Sequence, residues 1–271
     1  MSTKARLPVA LLALTAVSAC ATLGVGGGGE EERGVQAPGA SASASATVDR
    51  DARQRIGREE MLTQMAFWAA EYQAFPNDLE AAQRFAETLR RGGRVDRAVQ
   101  IASEALGRFP QDRQLLTTYG YAQISNGNPH EALRPLALVA QAEPENWRVR
   151  SGLGAALDQL GRFEEARAAY QEALAIEPNN VRVLTNLGVS HLMAGEPADA
   201  ERYLRQAADM QGAPPETRHN LAISLALQGR FDEAERIERT DLPPALAAQN
   251  IAYLRGLLRD PRSWSDLGRP G

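Results

Sequence analysis

One side chain in this sequence stands out for its chemistry: the thiol of Cys20, the only cysteine in 271 residues. A lone thiol excludes an intramolecular disulfide. It falls directly after Val17-Ser18-Ala19, at the end of an apolar run from Leu7 to Val17 that Lys4 and Arg6 precede. The other reactive groups are scattered. His130, His191 and His219 show neither HExxH spacing nor companion cysteines, so no metal centre is expected. The run Gly24-Val25-Gly26-Gly27-Gly28-Gly29 has no strand before it and no helix after it, and therefore lacks the geometry that cradles a phosphate. There is no GxSxG and no Walker lysine. With no constellation of reactive groups, the chain is expected to be no enzyme and to need no cofactor.

The first residues read as a targeting element. A basic start, eleven apolar residues and a small-residue end form an export signal, because eleven residues are too few to span a bilayer as a helix. Val17-Ser18-Ala19-Cys20 resembles the bacterial lipobox. That resemblance implies diacylglycerol transfer to the Cys20 thiol, cleavage before it, and acylation of the new amine, with palmitate-type chains. Each buried CH₂ contributes about 0.8 kcal/mol, and two or more chains anchor a protein stably. Ala21 after the cysteine resembles outer-membrane sorting. The expected layout is a signal peptide over 1–19, then the lipidated Cys20 and a Gly/Ala/Ser tether to residue 50 with a reach of roughly 30 Å. The expected location is the outer membrane, lipid-anchored and facing the periplasm. Without residues 1–19 the chain carries 28 basic and 34 acidic residues. That balance argues against a nucleic-acid partner and against electrostatic adhesion to anionic lipid.

The rest of the chain is organised by a period. From Trp147 to Pro178, the residues Leu153, Gly154, Ala166, Tyr170, Ala173 and Pro178 fall at positions 7, 8, 20, 24, 27 and 32 of a 34-residue unit. Steps of 34 from Pro178 reach Pro144, Pro110 and Pro76; steps from Ala166 reach Ala98, Ala132, Ala200 and Ala234. Two helices approach closely only where the crossing residues are small, which position 8 supplies as Ala86, Gly120, Gly154, Gly188 and Ala222. The prolines end each second helix, and Gly93, Gly127, Gly161, Gly195 and Gly229 suit the turn inside each unit. This pattern resembles the tetratricopeptide (TPR) helix–turn–helix. It implies an all-α, right-handed superhelical solenoid over 51–260, with repeats at 79–112, 113–146, 147–180, 181–214 and 215–248. A single helix near 51–74, carrying Ile56, Met61, Met65, Trp68 and Tyr72, is expected to cap the first unit. A last helix with Leu246, Ile251, Leu254 and Leu258 is expected to cap the fifth, and 261–271 form a tail in which Trp264 and Leu267 are the large apolar residues.

In such a stack the first helices line a concave groove with positions 2, 5, 9, 12 and 13. The residues expected there include Tyr121, Ile124, Arg148, Asp158, Arg182, Val189, Leu192, Met193, His219 and Ile223. Exposed apolar spots at Tyr121 with Ile124, and at Val189 with Leu192 and Met193, would suit a peptide or helix of a partner protein. His191, at position 11, is expected to pack in the core. Asn186 and Asn220 occupy position 6, but the lysine–asparagine clamp of some TPR co-chaperones is not matched.

A narrower resemblance lies at the C-terminal end. The stretch Arg218–Arg239, then Asp241-Leu242-Pro243-Pro244 and Asn250-Ile251-Ala252-Tyr253-Leu254-Arg255, resembles the TadD-type lipoprotein of Tad/Flp pilus systems. It implies an outer-membrane lipoprotein that assists assembly of a pilus or secretion apparatus, with the outer-membrane secretin or another assembly component as partner. The residues alone need only a helix-ending turn and a capping helix. A general cell-envelope scaffold is therefore the alternative expectation.

Overall fold

The first helices of four repeats begin where a short polar side chain can hold their free amide groups. Asp78, Asp112, Asn146 and Asn180 accept hydrogen bonds from the backbone N–H of Ala81, Leu115, Val149 and Val183. Each of these caps spares the helix an unsatisfied donor, an effect of about 1 kcal/mol. The turns that end all five first helices are equally regular. Gly93, Gly127, Gly161, Gly195 and Gly229 all sit at φ between 70° and 80°, a region that side chains other than glycine resist. The next residue's N–H then reaches back to the carbonyl five residues earlier, as from Arg162 to Leu157 and from Glu196 to His191.

The computed structural model describes residues 49–259. It contains thirteen helices and, among the described residues, no strand. α1 (Arg50–Ile56) and α2 (Met61–Ala74) precede the repeats. Five pairs follow: α3 (Leu79–Arg91) with α4 (Val95–Arg108), α5 (Arg113–Ser125) with α6 (Pro129–Ala142), α7 (Trp147–Gln159) with α8 (Phe163–Ile176), α9 (Val181–Met193) with α10 (Pro197–Ala208), and α11 (Pro215–Leu227) with α12 (Phe231–Glu238). α13 (Pro244–Arg259) closes the series. The outcome is the all-helical array of stacked helix pairs that the period implied.

Packing explains the small residues. A Cβ built on Gly120, Gly154 or Gly188 would stand 2.6, 2.6 and 2.5 Å from Leu136, Tyr170 and Leu204 respectively. Position 24 thus presses a large side chain directly onto the backbone of position 8. Ala98, Ala132, Ala166, Ala200 and Ala234 are all fully buried at the second crossing.

Two end elements differ from expectation. The N-terminal cap is two helices rather than one, because Gly57 ends α1 and a four-residue turn redirects the chain. The turn lets Arg53 of α1 reach Glu71 of α2, Asp78 and Glu80 at 2.7, 2.9 and 3.0 Å, while its guanidinium lies 5.6 Å from the Trp68 ring centre. In α13, Ile251 is buried and Leu254 packs against the last cluster, but Leu246 is 46% exposed. Ala247 takes the buried slot instead, since 247, 251 and 254 share one helical face and 246 lies about 100° off it. The signal peptide, Cys20, nearly all of the tether, and the 261–271 tail with Trp264 and Leu267 lie outside the described residues.

Candidate protein-binding face

In the first helices α3, α5, α7, α9 and α11, positions 2, 5, 9, 12 and 13 share one helical face. Tyr121 lies on this face of α5. Its ring crosses from the second unit to the third, where Gly152 makes room: a Cβ there would stand 2.6 Å from Tyr121 Cε1. Its hydroxyl donates to the Arg148 carbonyl at 2.6 Å. Burial pushes the phenol up to about 12, while the guanidinium groups of Arg90, Arg148 and Arg182 pull the other way. The three arginines belong to three different units. Arg90 lies 5.6 Å from the ring centre and is held by Glu87. Arg148 is exposed and stacks over Trp147 at 4.5 Å. Arg182 is exposed, and neither it nor Arg148 has a carboxylate partner among the described residues. Ile124, Val189 and Met193 are half-buried on the same side.

Four of the expected groove residues are used inside the protein. Leu192 is fully buried in the cluster with Ala200, Leu204 and Leu221. Asp158 is 6% exposed and accepts from Tyr170 Oη at 2.9 Å and Ser190 Oγ at 2.6 Å. Both occupy position 12, which turns toward the next unit's helix and is screened by it. Ile223 is 5% exposed because the cluster it joins also contains Ile251 and Leu254 of α13. His219 is half-buried, and its Nδ1 lies 2.5 Å from the carboxylate of Glu238. The expected groove residues that stay exposed or half-buried and outside these internal contacts, Tyr121, Ile124, Arg148, Arg182, Val189 and Met193, lie on α5, α7 and α9.

Sequence reasoning missed Arg90 and the role of Glu238. Arg90 is position 12 of the first unit, so extending the same rule one unit earlier finds it. Glu238 stands at position 24, where other units place Leu136, Tyr170 and Leu204. It is 3% exposed, with His219 on one side and Asn250 Nδ2 at 3.4 Å on the other. Nearby, Arg218 grips Asp241 through two bonds of 2.5 and 2.6 Å. The out-of-place acid at position 24 was the available signal. The C-terminal residues Arg218, His219, Asp241 and Asn250 therefore hold the last helices together.

His191 is buried as expected, stacked on Tyr203 at 5.4 Å with Nδ1 2.8 Å from Glu196. With Asp199 these groups lie close enough to surround an ion, but Arg167 already sits 3.2 Å from the same Glu196 oxygen and supplies the positive charge.

Two repeat models match this chain: "TPR repeat" over residues 154–195, and "Tetratricopeptide repeat" over 83–144 and 185–244. Among solved structures, TTC0263, a thermophilic TPR protein of Thermus thermophilus, aligns with a TM-score of 0.55 at 24% identity, covering 67% of this chain and 99% of its own. MamA from Desulfovibrio magneticus RS-1 gives 0.54 at 21% identity over 59% of this chain and 91% of its own. MamA of MSR-1 gives 0.50 at 27% identity, covering 58% and 90%. These likenesses describe the fold.

Proposed function

The chain belongs to the tetratricopeptide repeat family, whose stacked helices serve as scaffolds for other proteins, and on that premise we propose that it is a lipid-anchored assembly factor of the outer membrane. In this reading it holds a component of a Tad/Flp-type pilus or secretion apparatus, acting as a pilotin-like aid to the secretin. The observation that carries the binding role is the face on α5, α7 and α9, with half-buried Tyr121, Val189 and Met193 and the exposed guanidinium groups of Arg148 and Arg182. The pilus assignment rests on the C-terminal resemblance and on Cys20 within its lipobox-like sequence. A general envelope scaffold is the second reading. It is favoured by the internal use of Arg218, His219, Asp241 and Asn250, which any array ending in such a helix could share.

A photo-crosslinking residue placed at Val189 in cells, with one at exposed Leu138 as control, tests the assignment. Secretin captured from Val189 alone supports it. Cell-wall or other assembly proteins captured there instead support the scaffold. Cys20→Ser should abolish incorporation of a fatty-acid analogue while circular dichroism is unchanged; undiminished label would remove the anchor from the proposal.

A further inference from the structure

The charge order along the face is more specific than a general docking surface requires. At the α3 end Glu80 and Glu87 are paired with Arg53 and Arg90, and at the α11 end stands exposed Glu216; between them Arg148 and Arg182 are exposed at position 2 of successive units. This basic centre sits on a chain whose formal charge is −4. Arg148 is held flat by Trp147, and Tyr121 is fixed between two units by its bond to the Arg148 carbonyl. Arg148 is thus positioned, and neither it nor Arg182 has a carboxylate partner among the described residues.

Resting on the reading of this face as the partner site, we propose that its centre receives an extended acidic segment of a protein, with carboxylates paired to Arg148 and Arg182 and apolar side chains laid against Tyr121, Val189 and Met193. Packed helices lie about 8–10 Å apart. An extended segment in the polyproline II conformation rises about 3.1 Å per residue with three residues per turn, so side chains three apart share one face. Carboxylates three residues apart then lie about 9 Å from one another on that face, on the order of one helix-to-helix step. Arginine's planar fork binds such carboxylates in pairs of parallel hydrogen bonds. Exposed Glu216 repels acidic residues at the α11 end, while Glu80 and Glu87 at the α3 end are already paired with Arg53 and Arg90.

Fluorescence anisotropy with the full chain tests this. The probes are labelled nonapeptides of Gly, Ser and Leu carrying Glu at positions 1, 4 and 7, with Gln and Lys analogues. The Glu peptide should bind at least tenfold more tightly than the Gln analogue and weaken as salt rises from about 0.05 to 0.5 M. The charge reversal Arg148→Glu/Arg182→Glu should lose that binding and favour the Lys analogue, whereas Arg134→Glu, on exposed α6 surface, should change nothing. Should the reversal lower the melting temperature, Arg148→Gln/Arg182→Gln serves in its place. Equal binding of the Glu and Gln peptides overturns the acidic class while the crosslinking at Val189 still decides the face itself. Acidic binding untouched by both double variants overturns the site.

Discussion

The third and fifth repeats are built to one plan and solve its central contact in opposite ways. In the third, position 24 is Tyr170, a 2%-exposed ring pressed onto Gly154. In the fifth it is Glu238, a buried carboxylate with His219 and Asn250 as partners. The third unit has a neighbour on each side, and its Tyr170 adds to the apolar contact a hydrogen bond donated to Asp158. The fifth has only α13 beyond it, a shorter second helix in α12, and no side-chain cap at the start of α11. A charged contact there adds direction: Glu238 accepts from both α11 and α13, and so fixes where the last helix sits. Buried ion pairs add less to stability than apolar packing does, but they penalise wrong arrangements.

The largest effect that would sharpen this contrast comes from removing α13. Truncation at Pro243 strips Ile251 and Leu254 from the cluster that contains Leu221 and Ile223, and leaves Glu238 facing water. Each large apolar side chain contributes about 1.5–3 kcal/mol when buried. A loss of several kcal/mol should follow, with proteolysis starting in α12. A truncated protein that keeps its melting temperature would show that α13 is a detachable ligand rather than part of the fold.

The next is smaller and depends on pH. Glu238 raises the pKa of His219 above its ordinary 6.5, through their hydrogen bond, against the opposing effect of burial. A histidine raised in the folded state stabilises fully below pH 6.5, and that contribution fades as pH climbs through the folded value. Glu238→Gln should therefore cost about 1.5–3 kcal/mol near pH 5.5, the range for a hydrogen bond to a charged group. The difference from the parent protein should shrink towards about pH 9. Chemical denaturation at the two values measures it; a constant difference would remove His219 from the lock.

How much of this could be read in the chain depends on how far each residue's partners lie from it. Gly154 and Tyr170 belong to one unit, so the 34-residue period exposes their pairing directly. Helix starts at Asp78 and Asn146 and turns at Gly93 and Gly161 are local and equally legible. Position 12 is not. Arg90 and Ile124 are half-buried there, whereas Asp158, Leu192 and Ala226 are buried. The same register gives different exposures because the screening side chains come from the next unit or from α13. Ile223 is hidden for that reason too. The single helix expected near 51–74 failed on a local signal, Gly57, outweighed in the reading by an apolar face that continued through it.

The smallest predicted effect has the opposite sign and sits in the third unit. Asp158 is a buried acid at that unit's junction with the next, and burial raises its pKa to about 6, although Ser190, Tyr170 and Arg167 favour its ionised form. A carboxyl group raised in this way binds its proton more tightly folded than unfolded. Stability therefore falls as pH rises from about 4 through about 6, and the protein carries the cost of the buried charge at neutrality. Asn in its place keeps an acceptor for one hydroxyl and carries no charge. Each pKa unit is worth about 1.4 kcal/mol. Part of the gain is lost with the second hydroxyl bond, so Asp158→Asn should stabilise by about 1–2 kcal/mol near pH 7.5 and by nothing near pH 4. Glu238→Gln destabilises most in acid, where Asp158→Asn is silent, so melts of both variants across roughly pH 4–9 separate the two units. If Asp158→Asn lowers the melting temperature at about pH 7.5, the ionised aspartate is instead a net stabiliser held by its two hydroxyls, and the third unit would use charge as the fifth does.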